Sequence, residues 1–290
     1  MLADASDRLA RAGVESPAAD AEWLLCHVLE IGRGQLLFVD DLDSADASRF
    51  AELIEARSQR IPLQHLTGTA AFGPLELAVG PGVFVPRPET ELLYEWALGR
   101  LSEISGPARA VDLCSGSGAL ALALATASPT TTVEAIELSP EAGEWLRRNV
   151  AKERLTGRVH VHLGDVTDQE FVSGVTGAPV DLVVSNPPYV PTTTDVPQEV
   201  DADPAMAVFG GTDGMSVIGP MVGVIATILA PGGWVGIEHD DTTAAAVVAA
   251  LQAADHGGVV AFENIEPHTD LAGRPRFVTA RRTPVAAAAR

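Results

Sequence analysis

The tetrapeptide Asn186-Pro187-Pro188-Tyr189 concentrates more chemical capability than any other stretch of this chain. It follows the run Val180-Asp181-Leu182-Val183-Val184-Ser185, which reads as a buried strand leading into a stiff loop. The asparagine carboxamide carries an acceptor oxygen and an –NH2 donor. The two prolines fix φ and present carbonyls with no competing N–H, and Tyr189 adds a flat face on which a planar group can lie. Such a loop can grip a planar –NH2 group by both hydrogens, as alkylation of an amide or amino nitrogen requires. A plain strand-ending turn would use similar residues, because Asn-Pro is a common turn starter. The surrounding chain decides between the two.

Three further strand ends bear on that choice. One strand closes in Asp112-Leu113-Cys114-Ser115-Gly116-Ser117-Gly118, directly before an apolar helix. Glycines at such a bend let the backbone approach a ligand, and the helix N-terminus supplies free N–H groups. The next strand ends at Ile136-Glu137, whose carboxylate can accept from both hydroxyls of a ribose. The third ends at Gly164-Asp165, suited to an adenine amino group. A glycine loop, an acid and an acid on successive strand ends form a nucleoside-binding rim at the carboxyl edge of a parallel sheet. Solvated strand ends are the plainer account of Glu137 and Asp165. Gly116-x-Gly118-x-x-Ala121 with Glu137 downstream also fits the dinucleotide fingerprint of nicotinamide enzymes. Against that reading, Asp112 would sit badly beside phosphates but well beside the cations of S-adenosylmethionine.

The elements that must position these residues follow from periodicity. Residues before 70 read as short helices, one opened by Ser16-Pro17 and running through Glu30, another capped by Ser44 and ended by Pro62. Turn clusters at 72–75 and 80–82 then suggest a small β-hairpin. From Pro86 helices and strands alternate: a helix near Pro88, strand 110–113, helix 119–127, strand 132–137, helix 140–151, strand 158–163, strand 180–185, helix 216–229, strand 234–238, helix 242–253, and strands 258–265 and 276–280. Alternation of this kind predicts an α/β fold with a mostly parallel sheet covered on both faces. The last two strands lack an intervening helix, which predicts an antiparallel hairpin at one edge.

Bulk composition narrows the function classes. With 290 residues and 47% apolar content, the chain can bury a large core. Lys plus Arg is 19 and Asp plus Glu is 39, giving a formal charge of −20. That balance disfavours sequence-independent binding to nucleic acid, which depends on basic side chains. Cys26 and Cys114 lie in unlike contexts, so neither a disulfide framework nor a metal site is expected, and His27 and His65 read as structural. The first seven residues lack the basic and apolar regions of a signal peptide. The uncharged stretch 217–237 is long enough to suggest a membrane span, but Pro220 and Pro231-Gly232-Gly233 should divide it into a helix and a strand. A cytoplasmic protein with no membrane contact is expected.

Together these residues resemble a class I (Rossmann-like) methyltransferase, and more narrowly the HemK/PrmC family of glutamine methyltransferases acting on peptide chain release factors. The narrowing markers are Phe84-Val85-Pro86-Arg87-Pro88-Glu89-Thr90-Glu91, the 112–118 loop, Asn186–Tyr189, and Asp203-Pro204 through Gly210-Gly211-Thr212-Asp213-Gly214. The resemblance implies a seven-stranded, mostly parallel sheet, S-adenosyl-L-methionine as cofactor, and the glutamine of a Gly-Gly-Gln motif as acceptor. It divides the chain into a helical substrate-recognition domain (1–69), a hairpin linker (70–85), a catalytic domain (86–282) and a flexible tail (283–290). It maps cofactor contacts onto Asp112, Cys114, Ser115, Gly116, Ser117, Gly118, Glu137, Asp165, Val166 and Asn186. Substrate contacts fall on Phe84, Arg87, Glu89 and Asn186–Tyr189, with Asn186, Pro187 and Tyr189 as the catalytic set: Asn186 Oδ1 and the Pro187 carbonyl accept the two amide hydrogens, and Tyr189 packs on the amide plane. Arg87, Glu89 and Glu91 either fix a domain junction or line the substrate groove. No metal and no direct nucleic-acid partner is implied, and a monomer is expected. Cys114 stands where the family usually has glycine, and Asp203 where glutamate is usual. Two related activities share much of this pattern: glutamine methylation of a ribosomal protein and amino methylation of adenine or guanine in nucleic acid.

Overall fold

Apolar strands joined by helices build one sheet that carries the chemistry. The computed structural model describes residues 1–177 and 179–284. After a two-stranded hairpin, β1 (Thr69–Phe72) and β2 (Leu75–Ala78), come β3 (Ala108–Leu113), β4 (Thr131–Glu137), β5 (Val159–Leu163), β6 (Val180–Ser185), β7 (Leu229–Glu238), β8 (Phe262–Thr269) and β9 (Pro275–Arg282). The last seven form a sheet in the order β5-β4-β3-β6-β7-β9-β8. Pairings from β5 across to β7 are parallel, while β9 runs antiparallel to both β7 and β8. The seven-stranded α/β fold and its antiparallel edge pair are as the sequence indicates.

Successive residues of a strand face opposite sides, and the sheet uses this to build two cores. Leu182 and Val184 of β6 pack with Leu93, Leu122 and Leu146 from the helices Thr90–Ser102, Ala119–Ala127 and Pro140–Lys152. Val183 joins Val172, Ile225 and Val247 from the helices Gln169–Thr176, Ile218–Ile228 and Ala244–Ala253 on the other side. Each fully buried aliphatic side chain contributes roughly 1.5–3 kcal/mol relative to exposure. The strand order reverses between β3 and β6, so the carboxyl ends of those two strands open a crevice where ligands of such sheets bind.

The chain divides into two compact units, one formed by Met1–Thr69, Val79–Pro81 and Val196–Ala202, the other by Ala70–Ala78, Gly82–Asp195 and Asp203–Arg290. The first contains the helices Leu2–Arg11, Pro17–Leu29 and Ser44–Ser58 around Leu9, Leu24, Leu25, Phe50 and Ile54. Within it, Arg57 bonds Asp20 at 2.7 Å and Glu199 at 3.0 Å, and Arg60 Nε donates to Glu199 at 2.6 Å. Periodicity gave no reason to expect residues 196–202 in this unit; the pairing of Glu199 with two arginines holds them there.

Other differences from the sequence reading have local causes. The helix Gln169–Thr176 was not anticipated; Asp168 caps it by accepting from the Glu170 and Phe171 backbone N–H groups. Asp43, not Ser44, caps the helix Ser44–Ser58 through the N–H groups of Ala45 and Asp46. Pro231-Gly232-Gly233 does not end a helix but lies inside β7, where the pairing with β6 shifts register between Val180 and Leu182 and Gly232 takes φ +84°. Among the described residues no helix is long and apolar enough to cross a membrane. The tail expected from 283 onward lies, from Val285, outside the described residues.

Candidate active site

Sheet register sets the site. Leu113 of β3 pairs with Ile136 of β4 and with Ser185 of β6, Glu137 of β4 pairs with Leu163, and Ser185 pairs with Ile237 of β7. The loop after β3, Glu137, Asp165, Asn186 and Glu238 therefore share one edge of the sheet. Ser185 Oγ donates to the Leu113 carbonyl at 2.7 Å, which ties the start of the Asn186 loop to the glycine loop.

A cavity of about 150 Å³ opens at this edge, and its lining includes Asp112, Glu137, Asp165 and Asn186. Cys114, Ser115, Gly116, Ser117, Val166, Pro188 and Phe84, all singled out from sequence, also reach it. Gly118, Pro187, Tyr189, Arg87 and Glu89 do not. Gly118 instead starts the helix Ala119–Ala127 with φ +90°, where a Cβ would come within 2.3 Å of Leu122 Cδ1 and 2.4 Å of Leu146 Cδ1. Tyr189 donates its hydroxyl to Glu238 Oε1 at 2.9 Å, away from the cavity. Arg87 pairs with Asp203 at 2.5 Å and lies over the Phe84 ring, while Glu89 is exposed at the start of the helix Thr90–Ser102. Asp203 also accepts from the Val85 N–H at 3.2 Å, so the shortened acid holds the segment carrying Phe84 and Arg87.

The acidic groups are held in defined orientations. Asp112 is 1% exposed; Oδ2 accepts from the Ala121 N–H at 3.1 Å, and Oδ1 has no hydrogen-bond partner among the described residues. Burial pushes its pKa up to about 7, with the Glu137 charge adding to the rise, while the nearby Ser115 hydroxyl, which donates to the Asp112 main-chain carbonyl at 2.9 Å, and the Ala121 N–H oppose it. Glu137 Oε2 accepts from Gly116 N–H and Oε1 from Ser139 N–H, each at 2.8 Å. Each oxygen keeps a lone pair for a further donor. Asp165 Oδ1 accepts from the backbone and hydroxyl of Thr167, leaving Oδ2 for another partner. Cys114 adopts φ +64°, a left-handed conformation that explains why glycine suits this position, and burial followed by the charges of Glu137 and Asp112 raises its thiol well above the usual range.

Three carboxyl groups and no Lys, Arg or His line the cavity. That arrangement fits a cationic ligand with a ribose and disfavours a pyrophosphate. It also fits S-adenosyl-L-methionine on a specific count: Asp112 Oδ1 is buried without a hydrogen-bond partner among the described residues, and a positive charge would satisfy it.

Asn186 Nδ2 donates to Thr90 Oγ1 at 3.0 Å, and no hydrogen bond engages Oδ1 among the described residues. Thr90, which lines the cavity, and Glu238, which takes the Tyr189 hydroxyl, are among the residues that sequence reasoning did not single out, with Leu138, Ser139 and Met206 of the lining. Thr90 sits inside the Arg-Pro-Glu-Thr-Glu block without an obvious task. Glu238 ends an apolar strand as Glu137 does, and the same signal could have found it.

Residues 1–68 match the PrmC N-terminal domain family, and residues 93–201 match the methyltransferase small domain family. A protein of Mycolicibacterium smegmatis named release factor glutamine methyltransferase is 52% identical over 279 residues, covering 96% of this chain and 95% of that one. A protein of the same name from Corynebacterium glutamicum is 48% identical over 97% of each chain. A methyltransferase structure from Pyrococcus furiosus aligns with a TM-score of 0.50 at 18% identity over 74% of this chain and 92% of that one, a likeness of fold alone. At this identity and coverage, the chain belongs to the release factor glutamine methyltransferase family.

Proposed function

We infer that this protein transfers a methyl group from S-adenosyl-L-methionine to the side-chain amide nitrogen of the glutamine in the Gly-Gly-Gln motif of peptide chain release factors, in the cytoplasm. The observation that carries the reading is Asn186, whose –NH2 is held by Thr90 so that Oδ1 remains an acceptor beside a cavity lined by three carboxyl groups. The family membership supports the same acceptor. When bound, S-adenosyl-L-methionine supplies an electrophilic methyl group on a sulfonium cation. Glu137 would accept from the ribose hydroxyls through its two remaining lone pairs, Asp165 Oδ2 from the adenine amino group, and Asp112 Oδ1 would face the cationic end.

A primary amide nitrogen is a weak nucleophile because its lone pair is delocalised into the carbonyl. Asn186 Oδ1 and the Pro187 carbonyl would accept its two hydrogens, aim the nitrogen and stabilise the positive charge that grows on it. Alignment and fixed dipoles of this kind supply the acceleration without a strong base. The proton leaves to water once the nitrogen has been methylated. Tyr189 serves by holding the loop through Glu238 instead of packing on the substrate. In the helical unit, Leu37 and Phe38 are 87% and 83% exposed, and this apolar surface would take the body of the release factor.

The test incubates the protein with methyl-labelled S-adenosyl-L-methionine, purified release factor, and release factor whose target glutamine is replaced. Label should enter only the intact substrate. Equal labelling of the replaced substrate, or transfer to RNA or DNA, would overturn the reading.

A further inference from the structure

The helix Ala119–Ala127 begins with an exchange of partners. In a regular helix the Ala121 N–H would bond the carbonyl four residues back, at Ser117. Here it donates to Asp112 Oδ2 at 3.1 Å instead. Ser117 is 3% exposed, so its carbonyl needs another donor: a buried acceptor left without one loses the free energy of leaving water. That donor is Asn149, in the helix Pro140–Lys152, whose Nδ2 lies 2.9 Å from the Ser117 oxygen.

Asn149 is fully buried, and its neighbours allow its carboxamide one orientation. Oδ1 accepts from the Ala78 N–H at 2.8 Å, and Nδ2 also donates to the Ala78 carbonyl at 3.0 Å. Turned over, the group would set donor against donor at the Ala78 N–H and oxygen against both carbonyls. One side chain thus spans the last residue of β2 and the glycine loop after β3. Both ends bear on the cavity: Ser117 lines it from the loop, and Phe72 lines it from β1, the strand paired with β2. Cys114, Gly116 and Gly118 take φ +64°, +54° and +90°, a backbone path that no repeating hydrogen-bond ladder supports. Such a loop keeps its shape through individual bonds of this kind.

We propose that Asn149 is a positioning residue for the cofactor: it fixes the Ser117 carbonyl, and with it the glycine loop, against the hairpin, so that loop and hairpin form one continuous wall of the cavity. Neither Asn149 nor Ala78 lines the cavity, so the effect is transmitted through Ser117. The proposal rests on the reading of S-adenosyl-L-methionine as cofactor, and goes beyond it by tying cofactor affinity to a side chain outside the site. Lys152, three residues further along the same helix, donates Nζ to the Glu76 carbonyl at 2.5 Å. The hairpin therefore has a second tie to the helix that does not touch the loop.

Asn149→Asp keeps the acceptor for the Ala78 N–H but sets an oxygen against the two carbonyls, and Asn149→Ala removes the carboxamide. By calorimetry each should weaken binding of S-adenosyl-L-methionine by about tenfold or more, the scale of leaving a buried polar group unsatisfied. With cofactor saturating, kcat and the KM for release factor should stay within about threefold of the parent. Two controls separate positioning from packing. Val150→Ala opens a void at the next residue of the helix, and Lys152→Met cuts the other tie to the hairpin. Both should lower the unfolding temperature and leave cofactor affinity within about threefold. A measurement on the parent alone keeps the question open to refutation if the Asn149 variants do not fold. On saturation with cofactor, hydrogen exchange of the Ala78 N–H should slow by about tenfold more than that of the Gly73 N–H, which bonds Glu91 Oε1 at the hairpin turn. A folded Asn149→Asp protein with parental affinity, a control as impaired as Asn149→Asp, or equal slowing at Ala78 and Gly73 would each overturn the proposal. A parent that does not bind S-adenosyl-L-methionine would overturn the cofactor reading and this proposal with it. Binding with the expected affinity pattern but no label transfer to release factor supports the proposal and sinks the substrate reading alone.

Discussion

Asp112, near the end of β3, and Cys114, just after that strand, each depart from the ordinary state of their residue type. Asp112 has a folded-state pKa raised from 3.8 to about 7 by burial. The folded protein thus holds a proton that the unfolded chain has lost between about pH 4 and 7, and stability falls as pH rises through that window. A cationic ligand facing Oδ1 reverses the preference, since it favours the carboxylate. Affinity for S-adenosyl-L-methionine should rise between pH 6 and 8, by up to about tenfold per pH unit below the pKa, and Asp112→Asn should flatten the profile measured by calorimetry. Cys114 is held at φ +64°, a region that costs non-glycine residues about 1–2 kcal/mol. Cys114→Val, with a β-branched side chain there, should be less stable than the parent by about 1–2 kcal/mol, read as a lower unfolding temperature. Cys114→Gly should stay within about 1 kcal/mol of the parent, because the strain it relieves offsets the added freedom of the unfolded chain.

At the scale of elements, the loop after β6 is braced from behind by the glycine-rich segment 210–214. Val190 bridges to Phe209, Gly210 N–H donates to the Val190 carbonyl, and Gly214 takes φ +75°. A Cβ on Gly214 would fall 2.3 Å from the Tyr189 carbonyl oxygen, and one on Gly210 would fall 2.6 Å from that of Pro188. Backbone cannot yield as a flexible side chain does. Gly214→Ala should therefore displace the loop, lowering both kcat, by more than about tenfold, and the unfolding temperature. Gly219, in the helix Ile218–Ile228, has open space at its Cβ position, and Gly219→Ala should leave kcat unchanged while adding up to about 1 kcal/mol of stability.

The whole molecule adds features that neither a residue nor an element carries alone. Residues 196–202 leave the run of the catalytic unit and belong to the helical one, where Glu199 bonds Arg57 and Arg60. Burial alone would raise the Glu199 pKa, but the hydrogen bond from Arg60, with the further contribution of Arg57, holds it at about 2. Its folded pKa is depressed, so its contribution is complete above about pH 4.5 and is lost as pH falls toward 2. Glu199→Gln should lower stability by about 1–2 kcal/mol at pH 7, a figure reduced for its partial exposure, and the difference from the parent should shrink below pH 4 in thermal unfolding. In the same unit, Leu37→Asp with Phe38→Asp should raise KM for release factor by roughly tenfold, with kcat and the affinity for S-adenosyl-L-methionine unchanged, because the pair lies in the unit that lacks the cavity.

The sequence by itself determined the α/β layering and the strand ends at Asp112, Glu137, Asp165 and Asn186, because hydrophobic periodicity, prolines and glycines act locally. It also carried the family, through short blocks whose residue types cannot be exchanged without losing their chemistry. Only the tertiary structure decided the partners of those residues. Tyr189 is drawn to Glu238 and Asn186 to Thr90 by bonds that span 49 and 96 residues, and Arg87 is taken up by an acid 116 residues away. No local pattern encodes such pairings: they arise when adjacent strand ends and the helix beside them bring buried polar groups together, and a buried polar group must find a partner or lose the free energy of leaving water.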